Sequence, residues 1–122
     1  MNKEPWGYHL LLDCASGDIV KITSKNNIAE FVKELVKKID MVSFGDLWIE
    51  RFATHDPDKA GISFVQMIET SNITGHFVEK NGDFYLDVFS CKPFDKEIVV
   101  ALTQQYFSPK SIRIRLVERD VA

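Results

Sequence analysis

The stretch GISFVQMIETSNITGHFVEKNGDFYLDVFSC, from Gly61 to Cys91, holds three strand-like runs in succession. Gly61 to Ile68, Asn72 to Val78 and Phe84 to Phe89 are rich in β-branched and aromatic residues. Asn81-Gly82, between the last two, is a hairpin-turn pair. Working outward, Phe44 to Phe52 and Tyr8 to Cys14 read as further strands, the latter ending in the turn cluster Ala15-Ser16-Gly17-Asp18. Ser111 to Glu118 alternates Ile112, Ile114 and Leu116 with Arg113, Arg115 and Val117 and reads as the last strand. Ile28, Phe31, Val32, Leu35, Val36 and Ile39 recur at helical spacing, with Asn27 and Glu30 in a capping arrangement. Pro93 to Phe107 reads as a second amphipathic helix with Asp95 as its N-cap. The order β-α-β-β-β-β-α-β predicts an α+β fold: a two-layer sandwich, mainly antiparallel, with two helices on one face of the sheet. Nothing in residues 1–122 reads as a linker, so a single domain is expected.

Composition narrows the function classes. Hydrophobic residues make up 45% of the 122, an ordinary globular share. The net charge of −3 supplies no general affinity for nucleic acid or for an anionic membrane. No apolar run approaches the roughly 20 residues needed to span a bilayer, and the start, Met1 to Trp6, lacks the apolar stretch of a signal peptide. Two cysteines, Cys14 and Cys91, make neither a disulfide framework nor a zinc site, and His9, His55 and His76 are scattered, so no metal is expected. These features predict a soluble protein of a reducing compartment, the cytoplasm.

Ser63, Ser71, His76 and Cys91 fall inside the opening stretch, where one sheet can gather them. Singly, each has an ordinary explanation: a loop or strand serine, a half-buried histidine, a small buried thiol. Together they can build a catalyst from the chain itself. A hydroxyl beside a strained peptide attacks the preceding carbonyl and turns the amide into an ester. A base then removes the α-proton, the ester is eliminated, and a ketone replaces the serine. Such a ketone accepts an amine as a Schiff base and draws in electrons, as pyridoxal phosphate does.

The motifs Gly61-Ile62-Ser63, Ser71-Asn72-Ile73-Thr74-Gly75-His76 and Asp87-Val88-Phe89-Ser90-Cys91 agree in order and spacing with the prokaryotic S-adenosylmethionine decarboxylase family. Gly7-Tyr8-His9-Leu10-Leu11-Leu12 is similar to that family's N-terminal run, so the resemblance spans nearly the whole chain. It implies self-cleavage at Thr70-Ser71 and a pyruvoyl group made from Ser71. It implies that His76 removes the α-proton, that Ser63 hydrogen-bonds the acyl-shift intermediate, and that Cys91 protonates the decarboxylated carbon. Substrate contacts fall to Phe52 and Phe77 as stacking partners for adenine and to Glu79 for the ribose hydroxyls. The family also implies a homodimer and a product that donates aminopropyl groups for spermidine.

Two departures leave other functions open. The family has Glu-Ser-His at the cleavage point, and this chain has Thr70-Ser71-Asn72. After the histidine, the family's aromatic-Pro-Glu run is replaced by Phe77-Val78-Glu79-Lys80, so Glu79 takes the carboxylate's role only if the alignment slips by one residue. The same chemistry on another amino acid, ornithine or arginine, is one alternative. An unprocessed paralogue serving as a binding or regulatory subunit is the other.

Overall fold

Alternation along the central strands sorts side chains onto two faces. The computed structural model describes residues 4–122. The strands are β1 (Gly7–Ala15), β2 (Trp48–Phe52), β3 (Gly61–Ile68), β4 (Ser71–Val78), β5 (Phe84–Ser90) and β6 (Ser111–Arg119). They form one sheet in the order β2-β3-β4-β5-β1-β6, and every neighbouring pair is antiparallel. Phe64 on β3, Phe77 on β4 and Leu86 on β5 point to the buried face, as the period of two requires. Ser63, Thr74, His76 and Tyr85 occupy the alternate positions on the other face.

Three helices, α1 (Ile19–Ile22), α2 (Lys25–Lys38) and α3 (Lys96–Phe107), supply the second layer. The apolar stripe of α2 (Ile28, Phe31, Val32, Leu35 and Val36) is buried with Val99 and Phe107 of α3 against the sheet. Phe107 is the hinge of this packing. Its ring centroid lies 4.8 Å from Phe31, 4.9 Å from Phe77 and 5.2 Å from Phe84. Burying one such ring stabilises by about 1.5–3 kcal/mol, so this cluster is a main tie between the layers. The expected α+β sandwich is therefore the observed one.

Three local readings need correction. The helix expected to be capped by Asn27 starts at Lys25, because Ser24 is the cap: its Oγ accepts from the Asn27 amide at 3.1 Å. Asn27 instead donates from Nδ2 to the carbonyls of Lys21 (3.2 Å) and Tyr106 (3.0 Å), tying the three helices together. The turn cluster before residue 19 ends in α1, one short helix more than expected. Asp18 caps it, accepting from Val20 and Lys21 amides at 3.0 and 3.2 Å. The strand expected over Phe44–Phe52 comes in two pieces. Ser43 bridges Ile68, whereas Trp48 pairs with Val65, so five residues of one segment span three of the other. The excess bulges out at Gly45, whose φ of +75° suits glycine.

Among the described residues no helix covers the sheet's second face. Trp48, Phe52, Met67 and Tyr85 are between 41% and 48% exposed there, a large apolar surface for a short chain. Among the described residues no helix is long and apolar enough to cross a membrane.

Candidate active site

Strands β3 and β4 are joined by the tightest connection available. Ile68 pairs with Ser71, leaving only Glu69 and Thr70 as the turn. Two-residue hairpins usually place positive φ on their central residues, which favours Asn and Gly. Neither Glu69 nor β-branched Thr70 takes positive φ; the strain falls on Ser71, with φ +154°. L-residues avoid this region at a cost on the order of 1–3 kcal/mol. The strain thus sits on the residue whose hydroxyl neighbours the Thr70 carbonyl.

The surroundings hold that peptide in place. The Cys91 amide donates to the Thr70 carbonyl oxygen at 3.0 Å. An amide there polarises the carbonyl and stabilises negative charge that develops on its oxygen under nucleophilic attack. Ser90 is fully buried, and its Oγ lies 2.7 Å from Thr70 Oγ1. The Cys91 thiol is exposed beside this turn, whereas Cys14 is buried in the core and its thiol is pushed up to about 12 by burial.

A second constellation lies further along β3 and β4, where Ser63 pairs with His76. His76 Nε2 is 2.8 Å from the Lys59 carbonyl oxygen, which only accepts, so in the neutral ring Nε2 carries the proton. Nδ1 is then the free base, and the Ser63 hydroxyl donates to it at 2.5 Å. The backbone of the 53–60 loop thus sets the tautomer, as a carboxylate does in hydrolytic triads. The pair opens onto a cavity of about 290 Å³ whose walls include Trp48, Phe52 and Tyr85.

The four residues expected to converge therefore form two pairs. His76 is five residues beyond Ser71 on an extended strand, about 16 Å at ~3.3 Å per residue, and Ser63 sits beside His76. Ser71 and Cys91 belong to one end of the sheet, Ser63 and His76 to the other.

The expected substrate contacts also divide. Phe52 is 41% exposed, its ring 5.0 Å from that of Trp48, and it borders the His76 cavity. Phe77 is corrected to a core residue. It has no exposed surface, stacks on Phe84 at 5.1 Å, and alternation turns it to the helix layer, away from its neighbour His76. Glu79 is half-buried and bound by Arg51, whose Nε and Nη2 reach its carboxylate at 2.9 and 2.5 Å. The bond from Arg51 holds the Glu79 carboxyl below its usual range. Lys80 pairs with Asp58.

Sequence reasoning missed Trp48 and Tyr85, which their strand parity with Phe52 and Asp87 could have placed on the His76 face. It also missed Ser90 and two backbone groups, the Cys91 amide and the Lys59 carbonyl. Backbone groups leave no mark in a residue pattern.

Comparisons with known proteins bear on the family and the fold. The family model described as S-adenosylmethionine decarboxylase matches residues 8–120. The S-adenosylmethionine decarboxylase proenzyme of Clostridium botulinum strain Langeland is 27% identical over 114 residues, covering 93% of each chain. That of strain Hall is identical to the same degree over the same length. The crystal structure of the adenosylmethionine decarboxylase from Aquifex aeolicus VF5 superposes with a TM-score of 0.81 at 22% identity, covering 98% of this chain and 95% of that one. That superposition shows the shared sandwich fold. The match of the family model over nearly the whole sequence places this chain in the S-adenosylmethionine decarboxylase family.

Proposed function

We propose that the chain cleaves itself between Thr70 and Ser71, converts Ser71 to a pyruvoyl group, and decarboxylates S-adenosylmethionine. The observation that carries this reading is the Thr70–Ser71 peptide itself: strained at Ser71, with the Cys91 amide on its carbonyl oxygen. Ser71 Oγ attacks the Thr70 carbonyl carbon, the C–N bond breaks, and an ester links Thr70 to the serine side chain. Removal of the Ser71 α-proton expels Thr70 as a free carboxylate and leaves an enamine. Its imine tautomer takes up water and releases ammonia, so no oxidant is needed. The pyruvoyl group so made supplies a ketone and an electron sink for decarboxylating an α-amino acid. Cys91 Sγ, exposed at the same end of the sheet, is the proton donor of this reading.

The base is His76 through Nδ1, with Ser63 hydrogen-bonded to it. Within one copy it stands about 16 Å from Ser71. The reading therefore requires a homodimer in which His76 and Ser63 of one copy serve Ser71 of the other. The uncovered apolar sheet face supports such pairing, since burying it removes Trp48, Phe52, Met67 and Tyr85 from water. With two unpaired cysteines the chain suits the reducing cytoplasm.

A second reading, decarboxylation of ornithine or arginine, is favoured by one observation. The Glu79 carboxylate is already satisfied by Arg51, and Lys80 offers only donors, so neither freely accepts from ribose hydroxyls. Release of carbon dioxide from carboxyl-labelled substrate separates the two. The first reading expects it from S-adenosylmethionine. Release from ornithine or arginine alone overturns the first reading in favour of the second.

A further inference from the structure

We propose that Ser90 is a positioning residue for self-cleavage, acting through the hydroxyl of Thr70. The inference deepens the self-cleavage reading and rests on it. Two adjacent residues at the turn carry hydroxyls, Thr70 and Ser71, and the hydrogen bonds treat them differently. Ser90, fully buried, accepts from the Lys92 amide at 3.0 Å and donates to Thr70 Oγ1 at 2.7 Å. Thr70 Oγ1 in turn points its own proton at the Met41 sulfur, 3.4 Å away. Ser90 Oγ also lies 3.7 Å from the same Met41 sulfur, so the two hydroxyls and the thioether close a small triangle fed by the Lys92 amide. The Thr70 hydroxyl is thereby held between Ser90 and Met41.

The same contacts clamp the scissile peptide. Thr70 is held at its side chain by Ser90 and at its carbonyl by the Cys91 amide, from consecutive residues at the end of β5. Ser90 is also the register partner of Ser71. With Thr70 fixed at two points and Ser71 paired on both sides, the turn cannot relax the +154° φ of Ser71 by rotating the peptide. Threonine stands here where the motif has glutamate, so its hydroxyl bond to Ser90 is a device of this chain. The Ser90 hydroxyl bonds to the Thr70 side chain and not to the attacked carbonyl or to Ser71 Oγ; its effect passes through Thr70.

Self-cleavage rates, followed by intact mass after refolding, test this in a double-mutant cycle. Thr70→Val keeps the shape of threonine and removes the hydroxyl; Thr70→Ser keeps the hydroxyl. Thr70→Val and Ser90→Ala should each slow cleavage about tenfold, the worth of one buried hydrogen bond. Thr70→Ser should retain the wild-type rate to within about twofold. The double variant Thr70→Val/Ser90→Ala should be no slower than either single change, because both remove one interaction. Additive losses, or a wild-type rate in Ser90→Ala, overturn the proposal while leaving self-cleavage intact. Should Ser90→Ala fail to fold, the Thr70→Val and Thr70→Ser pair decides: equal rates overturn the proposal. A wild-type chain that stays whole overturns self-cleavage and this inference with it.

Discussion

Ser71→Ala is expected to give a single uncleaved chain under conditions where the parent splits in two. The change deletes one oxygen, the only atom of Ser71 that attacks the Thr70 carbonyl in the proposed acyl shift. Alanine has the same β-carbon and meets the same steric conflict at positive φ, so the change adds no new strain to the turn. Ser71 makes no side-chain hydrogen bond within the fold's hydrogen-bonded network around Thr70, where the contacts come from Ser90 and Cys91. Stability should therefore change by less than about 1 kcal/mol. Circular dichroism and melting temperature check that the fold survives, and intact mass checks that cleavage is lost. Fragments from Ser71→Ala with the parent's masses would place the nucleophile elsewhere.

The second large effect is expected from mixing two inactive chains. In the proposed dimer, His76 of one copy serves Ser71 of the other, because about 16 Å separates them along one strand. Ser71→Ala and His76→Ala should each be blocked or slow alone. Co-folded, a Ser71→Ala chain lends its intact His76 to the Ser71 of its His76→Ala partner. With random pairing at equal amounts, about half of the His76→Ala chains should then be cleaved. The Ser71→Ala chains should all stay whole, which distinguishes rescue from contamination. Absence of cleavage in the mixture, with mixed dimers verified by native mass, would contradict action of His76 across the two copies.

Much of the scaffold was legible because its strands are half-buried. Alternation of Ile62, Phe64 and Ile68 with Ser63, Val65 and Met67 marks β3, and its bounds are those read from the sequence. Asp95 caps α3 as read, with its carboxylate 2.9 Å from the Glu97 amide. What escaped were places where two local signals compete. Ser24 and Asn27 both suit a cap, and tertiary contacts to Lys21 and Tyr106 gave Asn27 another use. Four residues of α1 are too few for a periodic pattern. Gly45 carries a bulge inside a run that reads as one strand.

The site was legible as a set of residues and illegible as a geometry. A separation of five positions between Ser71 and His76 looks close in sequence, yet an extended strand is the conformation that separates them most. Phe77 was read from its chemistry beside His76, but neighbours on a strand face opposite ways, and the aromatic core claimed it. The strain at Ser71 arises because a two-residue turn is filled by Glu69 and Thr70, neither of which takes positive φ. No single residue announces it.

The measurement that bears most directly on self-processing is the intact mass of the purified wild-type chain, denatured after long incubation at neutral pH. The account predicts two species, one ending at Thr70 and one beginning at position 71. The second should carry a ketone that gains mass with phenylhydrazine. A single species with the full mass of residues 1–122, unreactive toward phenylhydrazine, would contradict it and leave the chain as an unprocessed member of the decarboxylase family.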